Sequence, residues 1–132
     1  MRTAILNYID GLDLGSFKLS TKLPWDDNGA PLYHHNKKHI YVDQEQTSQN
    51  TLINTFTGPT IVEEQTLVSV YFVNDAKQIP AEYDSLVAAI KGATALDAAG
   101  PWIARQVNID KTFEADCTVT KLEFSYRKIF TN

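Results

Sequence analysis

The sequence predicts an α+β domain in which a mixed, mainly antiparallel sheet carries a short N-terminal helix and one amphipathic helix. Side chains alternate from Glu64 to Val73, which indicates a strand, and Ile79–Gly92 then repeats its apolar residues at helical spacing. A strand followed directly by an amphipathic helix predicts a helix layer on a sheet layer. Two more alternating segments near the C-terminus, Ile103–Phe113 and Cys117–Phe130, predict a closing β-hairpin because their link is short.

The stretch Thr60–Asn74 predicts a long strand in the interior of the sheet. One face carries Val68, Val70 and Phe72, and the other carries Leu67, Ser69, Tyr71 and Val73. Because the second face is also mostly apolar, we expect this strand to be paired on both sides. The helical segment that follows has its apolar stripe at Tyr83, Leu86, Val87, Ile90 and Ala93.

The N-terminal third predicts short elements and one long loop. Arg2–Ile9 is predicted to be a helix that ends at Gly11, and Ser16–Leu19 a brief strand. Proline, glycine and acidic residues punctuate Lys22–Asn36, which predicts a loop of about fifteen residues. Loops of this length in compact domains are usually functional or poorly ordered.

The segment before the central strand leaves two interpretations open. Lys38–Glu45 alternates as a strand, whereas Gln44–Asn50 is polar throughout. Either the strand continues into solvent or a hairpin tip lies here. Leu52–Phe56 is predicted to be a second short strand, stopped by Gly58 and Pro59.

Predicted signals mark both ends of the amphipathic helix. Pro80 suits the first turn, where a missing N–H costs nothing, and Gly92 is a plausible C-cap. Glu82 and Asp84 favour the positive end of the helix dipole, and Lys91 the negative end.

The totals restrict the possible classes of protein. A chain of 132 residues is expected to form one domain, residues 1–132. Its net charge of −4 argues against a dedicated nucleic-acid binder, which would carry a basic footprint. The single cysteine, Cys117, excludes an internal disulfide, and no apolar run approaches the roughly 18 residues of a membrane span. The first residues lack the features of a signal peptide, so we expect the chain to remain in the cytoplasm of the cell that makes it.

Three histidines are the nearest approach to a metal-binding motif. His35 and His39 have the i, i+4 spacing of a helical metal pair, and His34 lies beside them. The segment is predicted to run from loop into strand, and no cysteine or carboxylate completes the set. Exposed loop histidines are therefore favoured over a metal site or a pH sensor.

Catalytic patterns are missing from the sequence. Glu63 and Glu64 are predicted to point to opposite faces of a strand, so they do not share a proton. Cys117 follows an acidic residue, which does not lower a thiol pKa, and no serine lies in a nucleophile elbow. We therefore predict no enzyme activity, no catalytic residues and no cofactor, which favours binding or assembly by elimination.

The order of segments resembles the tail terminator proteins of long-tailed bacteriophages, the family of the minor tail protein U of phage lambda. The resemblance lies in HIYVDQEQTSQNTLINTFTG, TIVEEQTLVSVYFVNDAKQIPAEYDSLVAAIKGA and VNIDKTFEADCTVTKLEFSYRKIF. It covers roughly Lys38 to Phe130 and the opening helix, as a match of pattern and length without a diagnostic motif. The chain departs from the family at Pro24–Asn36.

The resemblance implies a structural role in the virion. Such proteins form a homo-hexameric ring that caps the tail tube protein, ends tube polymerisation and joins the tail to the head-completion proteins of the neck. DNA passes through the ring without specific binding, and assembly takes place in the host cytoplasm. The family carries no catalytic residues, so none is expected here, and we predict no cofactor-binding or metal-binding residues for this chain.

A ring requires an interface between unlike surfaces whose rotation closes. Candidate interface residues are the second face of the central strand, the polar segment before it and the loop aromatics: Leu67, Tyr71, Val73, Gln44, Gln46, Trp25, Tyr33 and Trp102. The aromatics are somewhat more often lids on the core than contact anchors for another protein. Alternatives are a tail tube protein, a head–tail connector, or a small α+β ligand-binding protein or enzyme.

Overall fold

The fold is taken from a computed structural model. It describes residues 2–20, 38–54, 58–75, 77–95, 102–111 and 117–131, with the backbone alone at 107–111 and 117. Helices and strands follow in the order α1 Arg2–Asp10, β1 Lys18–Ser20, β2 His39–Val42, β3 Gln46–Ile53, β4 Ile61–Asp75, α2 Tyr83–Lys91, β5 Ile103–Lys111 and β6 Cys117–Thr131. The predicted α+β class is confirmed.

The described strands form one sheet in the order β1-β2-β4-β6-β5, with β3 also paired to β4. β1 and β2 are parallel and every other pair is antiparallel. β6 pairs with β4 along its whole length, so β2 and β3 share the opposite side of β4. The predicted interior position of the central strand and the predicted C-terminal β5–β6 pairing are both confirmed.

β2 and β3 are two halves of one interrupted strand. Val42 lies opposite Val70 and Gln46 opposite Leu67, so four steps on the first strand match three on β4. This one-residue excess is a β-bulge, which turns the following side chains to the other face. Of the two interpretations of the polar segment, the one in which the strand continues into solvent is confirmed.

The core lies between the helices and one face of the sheet. It combines the inner faces of both helices with the even-numbered residues of three strands: Ile5, Ile9, Leu86, Val87, Ile90, Ile40, Val42, Val68, Val70, Phe72, Leu122 and Phe124. The predicted alternation along the central strand and β6 is therefore confirmed on this face. Within α1 and α2, the buried residues recur at three- and four-residue steps.

The ends of α2 differ in detail from the prediction. The helix begins at Tyr83, whose N–H donates to Pro80 O at 3.1 Å, so Pro80 lies in the turn before the helix. Gly92 is the C-cap, as predicted, and its N–H donates to Ala88 O at 3.0 Å. Its φ of −78° is right-handed, so this cap does not depend on the conformational freedom of glycine.

Among the helices that the structure describes, none combines the length and apolarity that crossing a lipid bilayer requires.

Candidate interaction surface

A three-stranded extension of the sheet has two largely exposed outer strands. It consists of β3 Gln46–Ile53, residues 61–67 of β4 and residues 125–131 of β6, which we call the arm. The main hydrophobic cluster contains no β4 residue before Val68, although Val62 within the arm is itself buried. At about 3.4 Å per residue, the arm extends the sheet by roughly 20 Å.

Both outer sides of the arm are exposed. All eight residues of β3 are exposed, and so are four of the last five residues of β6. β5 pairs with β6 only as far as Ser125. Within the described residues, no strand pairs with the outer side of β3 or with the outer side of residues 126–131. A sheet edge of this kind presents N–H and C=O groups to another chain.

Exposed isoleucines lie on one face of the arm. Ile53 is 51% exposed and lies opposite Ile61, which in turn lies opposite Thr131. Ile129, 56% exposed, lies two residues before Thr131 and therefore shares its face. These side chains are large, apolar and accessible to a partner.

Three charged side chains of the arm have partners on a neighbouring strand. Arg127 Nη2 lies 2.9 Å from Glu63 Oε2 on one face, and Gln49 Nε2 donates to Glu64 Oε2 at 2.9 Å. Glu63 and Glu64 alternate along β4, so they point to opposite faces, as predicted. Neither arrangement resembles a shared-proton catalytic pair.

Arg2 fixes the base of the arm to the first helix. Its Nε donates to Asp43 O at 2.8 Å and its Nη2 to Val42 O at 3.1 Å, while its backbone N–H donates to Glu45 Oε1 at 3.1 Å. These acceptors lie at the bulge between β2 and β3. The guanidinium therefore satisfies carbonyl groups where the strand is interrupted.

A shallow groove of about 250 Å³ lies beside the bulge, on the arm. Its walls are formed by Gln46, Thr47, Ser48, Gln65 and Leu67. These groups are neutral and do not titrate near neutral pH, so the groove offers hydrogen bonds and apolar contact rather than acid–base chemistry.

The predicted interface residues differ in their exposure. Gln44 and Gln46 are exposed and Leu67 is half-buried at the base of the arm. Tyr71 and Val73 are 7% and 0% exposed, so they offer little surface to a neighbour in this conformation.

Of the three aromatic residues predicted to lie in loops, the structure describes only Trp102. Trp102 is 3% exposed and packs edge-on against Phe124, with ring centroids 6.4 Å apart. It therefore belongs to the core, one of the two roles considered for it. Trp25 and Tyr33 lie outside the described residues.

Tyr71 and Lys121 form a polar contact on the second face of the sheet. Lys121 Nζ lies 5.7 Å from the centre of the Tyr71 ring and 3.0 Å from Glu123 Oε1. Burial raises the pKa of the Tyr71 hydroxyl. Burial acts to lower the pKa of Lys121, but the hydrogen bond to Glu123 and the charges nearby raise it overall. Burial therefore favours the neutral tyrosine, against the opposing effect of Lys121 on its pKa, and Lys121 stays charged, which suits a structural role.

The histidine segment is only partly described. His39 is half-buried in β2 and stacks on Tyr41, with ring centroids 5.7 Å apart. His34 and His35 lie outside the described residues. Among the side chains that the structure does describe, no three histidine, cysteine or acidic groups come together as metal ligands would.

No protein-family model matches the chain. A search of curated proteins also finds no match.

Sequence reasoning missed the open edges of the arm. The available signal is the uncharged polar run Gln46–Asn50. A strand segment that is polar on both faces indicates exposure to solvent, and this exposure is typical of a sheet edge. The bulge that separates β2 from β3 contains no glycine or proline, so no residue type in the sequence indicates it.

Proposed function

We propose that the chain is a structural protein of a bacteriophage virion, a tail terminator that caps the tail tube as a ring. On this proposal the ring ends tube polymerisation and offers its other side to head-completion proteins of the neck. The resemblance in the order of segments suggests this family. The exposed arm is the single structural observation that supports a role in assembly.

The arm supports the proposal because its features are those of a contact between protein chains. It places exposed isoleucines and backbone hydrogen-bonding groups on an extension held to α1 by Arg2. Extended edges of this kind gain affinity through main-chain hydrogen bonds to an added strand. A heterologous contact that closes by rotation gives a ring, and one that does not close gives a filament.

The charge of the chain is compatible with a ring through which DNA passes. With a net charge of −4, a lumen lined by acidic groups would repel phosphates and leave DNA free to slide. A structure of the assembled ring with a basic channel would contradict this part of the proposal.

Electron microscopy of the purified protein mixed with tail tubes of the same phage tests the function directly. We expect added density at one end of each tube, and no growth of tubes beyond that end. Decoration along the tube, or filaments formed by the protein alone, would instead identify a tube subunit. Failure to bind any tail or neck component would overturn the proposal.

A further inference from the structure

β3 lacks most of the features that usually protect a sheet edge, although its pairing with β4 has a register shift between Thr51 and Ile53. Its sequence, QTSQNTLI, contains no charged residue and no proline, and all eight residues are exposed. Natural edge strands are commonly blocked by lysine, proline, inward-pointing charges or a covering segment. An uncharged and exposed edge of this length is suited to receive a strand from another chain.

The opposite side of the arm offers a second and different edge. Residues 126–131 of β6 extend beyond the end of β5, and they include Arg127 and Lys128. β3 and β6 both run antiparallel to β4, so they run parallel to each other. One copy of the chain therefore has two unlike edge strands, which run in the same direction and lie on opposite sides of the arm.

We propose that β3 of one copy pairs in parallel with residues 126–131 of β6 in the next copy. The sheet then continues from arm to arm through a heterologous contact. This inference rests on the proposed function, because only a ring requires the last copy to contact the first. It adds which two surfaces of each copy form that contact.

Charge distinguishes this pairing from the symmetric alternatives. Two β6 edges placed side by side would bring the exposed Lys128 side chains of both copies together, whereas Arg127 is already paired with Glu63, and like charges on neighbouring strands are destabilising. The neutral β3 edge removes that repulsion. A symmetric β3–β3 pair carries no such penalty, but it leaves the β6 edge and Ile129 exposed and yields a closed dimer.

The exposed isoleucines define the register. Within one chain, Ile53 pairs with Ile61, and Ile61 pairs with Thr131, so Ile53 and Thr131 are in the same cross-strand register. A slip of two residues keeps every side chain on its own face and places Ile53 beside Ile129 of the next copy. A stagger between neighbouring units is also what closing strands into a barrel requires.

Cross-linking between two singly labelled populations tests the contact. Cys117 is the only native cysteine, so both variants are made in a Cys117→Ala background, one with Ile53→Cys and the other with Ile129→Cys. A short bis-maleimide is added to each population alone and to their mixture, with and without tail tubes. We expect a cross-linked dimer in the mixture and none in either population alone.

Each outcome supports or overturns the inference. Cross-linking of the Ile53→Cys population alone would show a symmetric β3 pair and overturn it. No cross-link in the mixture, with tubes present and end binding still observed, would overturn the inference and leave the proposed function standing. A cross-link without end binding would support this contact and count against the tail terminator role.

A matched pair of substitutions provides the control for folding. Ile53→Lys should abolish both the cross-link to a partner labelled at position 129 and ring formation, because it places a charge in the contact. Because position 53 is then a lysine, the cysteine of this variant is introduced as Asn50→Cys, on the same edge strand. Ile79→Lys, also labelled at position 50, changes an isoleucine of equal exposure, 50% against 51%, away from the arm. It should cross-link normally, and equal loss in both variants would contradict the inference.

Discussion

Glu82 accepts a hydrogen bond from the backbone N–H of Ser16, with 2.6 Å between Oε1 and N. Glu82 precedes α2, yet its side chain makes no capping bond to that helix. It reaches instead to the turn between α1 and β1. Gly15 lies directly beneath this carboxylate, in a left-handed conformation with φ of +56°. The contact joins the two helices through the segment that leads into the sheet.

Replacement of Glu82 by glutamine should weaken folding at neutral pH and leave it unchanged in acid. The hydrogen bond from Ser16 lowers the pKa of the Glu82 carboxyl below its ordinary value. The stabilisation is therefore present above the ordinary glutamate pKa of about 4.3 and is lost as the pH falls through the lower folded value. Urea unfolding of both proteins at neutral and acidic pH measures the difference.

The same substitution has a local readout, since the amide of Ser16 should exchange faster with solvent in Glu82→Gln. Asp84→Asn is the control, because it removes an exposed acid from the first turn of α2. Its effect on the helix should leave Ser16 exchange unchanged. An equal unfolding difference between the parent and Glu82→Gln at both pH values would contradict the assigned role.

Gly15→Ala should destabilise the protein by about 1–2 kcal/mol, the cost of a left-handed conformation for a residue with a Cβ. The added Cβ would also lie 2.5 Å from Glu82 Oε1 and force that side chain to move. Gly11→Ala is the matched control, because its Cβ would meet Asn7 O and Tyr8 O at an ordinary 3.6 Å. Urea unfolding should show no loss for Gly11→Ala, and equal losses would argue against strain at Gly15.

Val70→Asp should prevent folding. Val70 is 0% exposed in the centre of β4, where an unpaired carboxylate would lose its hydration without compensation. Losses above about 4 kcal/mol are expected from such changes, against total stabilities of about 5–15 kcal/mol. Gln65→Asp, on the exposed part of the same strand, should remain folded by circular dichroism. A soluble, native-like Val70→Asp protein would contradict the core described above.

The contrast between Val70 and Lys38 shows what could be predicted from the sequence. Val70 belongs to an alternating run of β-branched and aromatic residues, and this periodicity predicted both the strand and its buried face. Lys38 adopts a φ of 63° at the start of β2, where its N–H donates to Val73 O and its carbonyl accepts from Lys18. Neither the residue type nor its neighbours indicate this conformation, because tertiary hydrogen bonds impose it.

The candidate surface was predictable only in part for the same reason. Exposure of Gln44 and Gln46 follows from their polarity. Burial of Tyr71 and Val73 depends on what covers the second face of the sheet, which strand periodicity does not specify. The open edges of the arm depend on where β5 ends relative to β6, a property of pairing register rather than of any single residue.

Alkaline pH should destabilise the protein through Tyr71 and Lys121. Both pKa values are raised in the folded chain, so both groups hold their protons more firmly folded than unfolded. Stability is therefore expected to fall as the pH rises above about 10, where both groups lose their protons in the unfolded chain. Tyr71→Phe should reduce the loss in thermal unfolding measured across this range. The same alkaline loss in Tyr71→Phe as in the parent would contradict this.

Arg2→Ala should loosen the arm and weaken its contacts with other chains. The guanidinium donates to the carbonyls of Val42 and Asp43 at the bulge, and hydrogen bonds from charged groups contribute about 1.5–3 kcal/mol. Arg2→Lys keeps the charge but loses the forked geometry, so it should recover only part of the effect. Hydrogen exchange across Gln46–Ile53 should accelerate in the order parent, Arg2→Lys, Arg2→Ala, and end binding to tail tubes should fall in the same order. Arg105→Ala, which removes an exposed arginine from β5, is the control and should change neither measurement. Unchanged exchange in Arg2→Ala would show that the sheet pairing alone fixes the arm.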